Sequence, residues 1–188
     1  MQRSYDVLFA SSNKNKFLEA AKILSEFDIS LGLYRCNLVE IQSDSLEDIA
    51  LQKVDDAFSR CKKPVIIEDD GLYVDRLGGF PGPYSSYVFE TIGNAGIIKL
   101  LDEKRDASFQ SVIAYCDSNN KLSFHGRING KISAKQAGDG WGYDPIFIPE
   151  KESKTFAQIK DKNKISHRYK ALVKFANWFE HKQVSACR

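Results

Sequence analysis

Glu68-Asp69-Asp70 sets three carboxylates side by side in a chain of 188 residues. Neighbouring carboxylates repel one another. A hard cation such as Mg²⁺ relieves that repulsion, because it takes oxygen ligands and bridges carboxylates to phosphates. A solvated acidic loop would carry the same three residues without that role. The apolar run Val65-Ile66-Ile67 leads directly into the triplet. The acids are therefore expected at the end of a buried strand, where α/β proteins place function. In extended backbone Glu68 and Asp70 share one face and Asp69 takes the other.

Four further segments carry chemistry. Ser11-Ser12-Asn13-Lys14-Asn15-Lys16 follows the apolar run Val7-Leu8-Phe9-Ala10 and precedes Phe17, Ala20, Ala21 and Leu24 at helical spacing. A helix N-terminus attracts anions and the two lysines add charge, which suits a triphosphate. The glycines of a P-loop are missing, and a capped strand-to-helix turn with solvated lysines reads the same way. Glu40 and Gln42 precede a second helix on which Leu46, Ile49, Ala50, Lys53, Val54, Ala57 and Phe58 form one stripe. Lys53 alone is charged in that stripe, and it either snorkels outward or has a partner. Gly140-Trp141-Gly142-Tyr143-Asp144-Pro145 offers Trp141 for stacking on a base and Asp144 as an acceptor for a ring N–H. Core aromatics beneath a loop share that pattern. Lys162 and Ser166-His167-Arg168 supply donors for base carbonyls or phosphates, or form a capped helix start with exposed basic neighbours.

The elements that carry these segments are legible in outline. Strands are expected at 7–10 and 65–67, with a hairpin of 108–116 and 122–128 around Ser118-Asn119-Asn120. Helices are expected after Asn13, after an Asp44 or Ser45 cap, at 95–101, and from 166 to 181 with Leu172, Phe175, Ala176 and Phe179 buried. Residues 77–83 are too rich in Gly and Pro for regular structure, and 138–149 reads as a loop around a short strand. Alternating strands and helices without repeat or linker predict a single α/β or α+β domain over residues 1–188.

Charge narrows the partners. The net charge of +2 is too small to argue for nucleic acid. Residues 39–75 hold 10 acidic and 4 basic side chains, whereas 141–188 hold 5 and 10. Such a division suits a metal-plus-anion site better than a uniform basic face. Cys36, Cys61, Cys116 and Cys187 form no C-x-x-C pair, which argues against structural zinc and for reduced thiols in the cytoplasm. The N-terminal residues carry no apolar leader and no apolar run is long enough for a membrane span, so export and membrane insertion are not expected.

Taken in order, S-S-N-K-N-K, E-D-D-G-L-Y-V-D-R-L-G-G-F-P-G-P-Y-S-S, G-W-G-Y-D-P-I-F and K-N-K-I-S-H-R resemble the inosine triphosphate pyrophosphatase family, also called Ham1-like. The motifs span Ser11 to Arg168. The resemblance implies an elongated, two-lobed mixed α/β fold with a central mixed sheet flanked by helices, related to the Maf fold. It implies a homodimer that uses Mg²⁺ to hydrolyse ITP, dITP and XTP to the monophosphate and pyrophosphate, clearing deaminated purines from the nucleotide pool. By the same resemblance Ser11, Ser12, Asn13, Lys14, Asn15 and Lys16 bind the phosphates and Lys53 contacts them. Asp69 is general base and metal ligand, and Glu40 is a second metal ligand; the carboxylate triplet itself adds Glu68 as a further metal candidate. Asp70 contacts substrate, Trp141, Gly142, Tyr143 and Asp144 hold the base, and Lys162, His167 and Arg168 read a 6-oxo purine. Two positions depart from the family pattern. Asp70 stands where relatives often have Ser or Thr, and Ser85-Ser86 stands where some have a lysine, so no substrate contact is assigned to Ser85 or Ser86. A Maf-type pyrophosphatase, a non-enzymatic nucleotide- or RNA-binding module and a purely structural protein are the rival readings, the last leaving Glu68-Asp69-Asp70 unexplained.

Overall fold

The structure is a computed structural model that describes residues 5–186. The chain forms two compact units, one of Met1–Asp69, Ser111–Gly126 and Arg168–Arg188, the other of Asp70–Gln110 and Arg127–His167. Three long strands pass from one unit into the other: β3 (Val65–Val74), β5 (Asp106–Cys116) and β6 (Lys121–Ile132).

In the first unit β1 (Val7–Ala10) pairs in parallel with β2 (Leu31–Tyr34), Val7 opposite Leu31, and with the start of β3, Leu8 opposite Val65. Parallel strands are covered on both faces and read as continuous apolar runs, as Val7–Ala10 and residues 65–67 do. Helix α1 (Lys14–Leu24) starts where the Asn13 side chain accepts from the backbone N–H of Asn15 and Lys16, at 2.9 and 3.2 Å. Helix α2 (Leu46–Cys61) starts where Ser45 accepts from the Asp48 N–H. The core joins Phe9, Ile23, Leu24 and Ile66 to Leu172, Phe175, Ala176 and Phe179 of the last helix, α5 (His167–Ala186).

The second unit has its own core, with Leu72, Val74, Ile97, Phe109, Phe147 and Phe156. Here β3 pairs antiparallel with β4 (Pro81–Gly82), and β6 with β7 (Phe147–Pro149). Helices α3 (Ser85–Thr91) and α4 (Gly93–Lys99) follow β4. Gly71 is required by close approach: a Cβ there would lie 2.5 Å from the Gly82 carbonyl oxygen. The strand order is β2-β1-β3-β5-β6-β7, with β4 on β3. The fold is the expected mixed α/β sheet flanked by helices.

Several elements differ from expectation. Strand β3 does not end at the acidic triplet but runs on to Val74, because Glu68 and Asp69 find partners inside the fold. Strand β2 and helix α3 were not expected, and 77–83 contains the two-residue strand β4. Cys36, Cys61 and Cys116 are free thiols, and Cys187 lies outside the described residues. Among the described residues no helix is long and apolar enough to cross a membrane.

Candidate active site

The first unit gathers the charged residues. The Lys53 ammonium lies 2.7 Å from Asp69 Oδ1 and 2.7 Å from Glu40 Oε2. Lys53 therefore does not snorkel: it faces inward from α2 and bridges a carboxylate on β3 to one in the loop before α2. Asp69 Oδ2 is buried and has no hydrogen-bond partner among the described residues. Burial pushes the Asp69 carboxyl above the usual carboxylate range, against the pull of the Lys53 and Lys16 charges. Two carboxylates converging on one ammonium, one of them with an orphaned buried oxygen, make an oxygen-only donor set that fits a hard cation.

Glu68 is different. Its side chain is fully buried, and its oxygens accept from Ser111 Oγ at 3.0 Å and from Arg168 Nε at 2.8 Å. Both oxygens accept from protein donors, which makes Glu68 an anchor for Arg168. Arg168, 2% exposed, also donates through Nη1 to Glu19 of α1. Sequence reading missed Glu19 and Ser111, because an isolated Glu on a helix and a Ser on a strand carry no spacing signal. In the turn after β1, Ser12, Lys14 and Asn15 are exposed and Lys16 is half-buried. Ser11 Oγ accepts from the Asn13 N–H at 3.0 Å. The first N–H groups of α1 are thus partly satisfied by Asn13, which leaves lysine charge as the main attraction for an anion.

The second unit gathers the aromatic residues. Lys162 donates to Asp144 Oδ2 and sits 5.4 Å from the centre of the Trp141 ring. Asp144 was expected to accept from a purine ring; here its acceptor faces Lys162. The buried Tyr143 donates its hydroxyl to the Ser85 carbonyl at 2.8 Å, and burial pushes that hydroxyl upward. Gly140 is needed because a Cβ would lie 2.9 Å from both Asp144 Cβ and Ala157 Cβ, and Gly142 adopts φ +61°. His167 is buried and stacked on Phe109, with ring centres 4.6 Å apart and planes 9° from parallel. Its Nε2 lies 3.8 Å from Asp70 Oδ2, and neither ring nitrogen has a hydrogen-bond partner among the described residues.

The structure thus brings Glu40, Lys53 and Asp69 together in one unit, and Trp141, Asp144 and Lys162 together in the other. Fold and site define a mixed α/β protein whose polar residues gather on β3 and on the loop before β7. The model of the Ham1 family matches residues 7–178, and the chain belongs to that family. It is 48% identical over 181 residues to the dITP/XTP pyrophosphatase of Methanopyrus kandleri, covering 93% of this chain and 96% of that protein. It is 46% identical over 177 residues to the dITP/XTP pyrophosphatase of Hyperthermus butylicus, covering 92% and 93%. The solved structure of a HAM1 protein from Coxiella burnetii superposes with a TM-score of 0.83 at 26% identity, over 95% of this chain and all of that one.

Proposed function

We propose that the chain is a Mg²⁺-dependent nucleoside triphosphate pyrophosphohydrolase that converts ITP, dITP and XTP to the monophosphate and pyrophosphate. The observation that carries the reading is the lysine bridge between Glu40 and Asp69 beside the unpartnered Asp69 Oδ2. Family membership and the relatives named dITP/XTP pyrophosphatase support it.

In this reading Glu40 and Asp69 hold Mg²⁺. The metal, when bound, neutralises phosphate charge and polarises the phosphoryl oxygens. Ser11, Ser12, Asn13, Asn15, Lys14 and Lys16 receive the triphosphate, and Lys53 adds a third positive charge as the transition state gains negative charge. Water attacks between the α and β phosphates: its oxygen bonds to phosphorus, the bridging P–O bond breaks and pyrophosphate leaves. Asp69 takes the water proton as general base.

The base is held by Trp141, Gly142, Tyr143 and Asp144, with Asp70 a further substrate contact. Lys162, His167 and the anchored Arg168 donate to the purine 6-oxygen. Adenine carries an amine there, which sets donor against donor and leaves a buried donor unpaired, so ATP is rejected. Residues 1–188 act as one nucleotide pyrophosphatase domain in a cytoplasmic homodimer that clears noncanonical purine nucleoside triphosphates. The deciding experiment is pyrophosphate release from equal concentrations of ITP, dITP, XTP, GTP, ATP and dTTP, with and without Mg²⁺. Fast Mg²⁺-dependent release confined to ITP, dITP and XTP is expected. Release from dTTP moves the chain to the Maf-type reading, and nucleotide binding without release leaves a binding module.

A further inference from the structure

Asn94 stands outside every motif that the function uses. It lies near the start of α4, is nine-tenths buried, and donates through Nδ2 to the Gly142 carbonyl at 3.0 Å. Its Oδ1 has no hydrogen-bond partner among the described residues. A buried amide with an orphaned acceptor is a costly choice for a core, where an aliphatic side chain would pack without that loss. The bond to Gly142 is what the amide provides in return.

Gly142 is the residue that most needs a tether. It follows Trp141, adopts φ +61°, and a Cβ built on it would meet nothing within 4 Å. With no side chain of its own and nothing crowding its Cβ position, the half-buried Gly142 gains its direction from backbone hydrogen bonds, that from Asn94 and, beside it, the Asp144 N–H to the Trp141 carbonyl at 3.3 Å. On the far side Tyr143 is fixed by Ser85, and its ring packs edge-on against Phe89 with centres 5.4 Å apart. Ser85 is itself fixed, accepting from the Leu72 N–H at 2.8 Å and donating to the Gly82 carbonyl at 2.6 Å. Helices α3 and α4 therefore grip successive residues of one loop, Tyr143 through Ser85 and Gly142 through Asn94.

We infer that Asn94 is a positioning residue for the nucleobase platform, holding the Gly142 peptide so that Trp141 is pre-set to stack on a purine. The inference rests on the function proposed above. Pre-organisation of a group that binds the base equally in ground and transition states changes affinity and leaves the chemical step alone.

The test is steady-state pyrophosphate release from ITP by Asn94→Ala and by Asn94→Asp, the latter keeping the shape while placing a carboxylate oxygen against the Gly142 carbonyl. Both should raise KM about tenfold, the size expected for one neutral hydrogen bond, with kcat within about twofold. A companion measurement titrates IMP against Trp141 fluorescence in a Trp178→Phe background, below the thermal midpoint of each variant. IMP affinity should weaken by the same factor as KM rises. An unchanged KM with unchanged IMP affinity overturns the inference, and so does a fall in kcat at constant KM. Should the wild-type chain release no pyrophosphate from ITP, the functional reading fails while the IMP titration still decides the role of Asn94.

Discussion

The first unit holds its chemistry in opposed charges, whereas the second holds it mostly in neutral hydrogen bonds and stacked rings. In the first, Lys53 joins Glu40 to Asp69, and Arg168 joins Glu68 to Glu19. In the second, Tyr143 bonds a backbone carbonyl, His167 lies flat on Phe109, and Lys162–Asp144 is the charged pair beside Trp141. In the proposed reading the difference follows the two ends of a nucleotide. A triphosphate is recognised by charge, and buried charges persist only when paired. A base is recognised by its flat face and edge, which demands a rigid aromatic surface. A unit rich in paired charges should govern turnover, and one rich in rings should govern affinity.

The sharpest way to break that contrast is Asp69→Asn. With Asp69 as the proposed general base, its loss should lower kcat for ITP by about 10³-fold, within the range general-base catalysis supplies. The fold should not suffer. Because the folded pKa of Asp69 is raised, its stabilising contribution is present below the unfolded value and lost as pH rises through the folded one. Above that folded value the ionised carboxylate is a burden, so there the variant should melt at the same temperature as wild type or higher. A much lower melting temperature would show that the Lys53 bridge is architectural.

Trp141→Ala addresses the second unit. Base–aromatic stacking is worth roughly 1–3 kcal/mol, so KM for ITP should rise about tenfold to a hundredfold while kcat changes little. A fall in kcat as deep as that of Asp69→Asn would erase the division of labour between the units.

The sequence showed the first unit more clearly than the second, for physical reasons. A parallel strand buried on both faces leaves an unbroken apolar run, and caps such as Asn13 and Ser45 leave local signatures, so β1, α1 and α2 were legible. Lys53 stood out because an amphipathic stripe makes a misplaced charge visible. Ser85–Thr91 was missed because it follows directly on the Gly- and Pro-rich residues 77–83, whose irregular reading hides a helix start. The end of β3 was misplaced because local reasoning treats three carboxylates as solvated, while Lys53, Ser111 and Arg168 arrive from distant sequence to accommodate two of them. The same limit hid Glu19 and Asn94. The types of the site residues were legible; their partners were fixed only by tertiary contact.

Away from the proposed site, the first unit also uses a charge to hold its last helix, and this gives the smallest test. Asp117, where β5 turns toward β6, accepts from the Tyr115 hydroxyl at 2.6 Å, from the N–H of Asn119 and Asn120 at 2.8 and 2.7 Å, and from Lys182 of α5. Lys182 also bonds the Tyr115 hydroxyl and lies 4.9 Å from the centre of that ring. Burial pushes the Asp117 carboxyl up, but Lys182, Tyr115 and the turn N–H groups outweigh it and hold the group well below the usual range. A lowered folded pKa means stability that is present above the unfolded value of 3.8 and lost as pH falls through the folded one. Asp117→Asn should therefore cost about 1–2 kcal/mol at pH 7, the scale of a charge-assisted bond exchanged for a neutral one. The gap between variant and wild type should hold from pH 8 to 5 and shrink below about pH 4, where the wild-type advantage titrates away. Denaturant melts at pH 7, 5 and 3 read this directly. A gap that stays constant through pH 3 would mean that Asp117 acts through the shape of the turn, and that paired charge in the first unit serves its chemistry more than its stability.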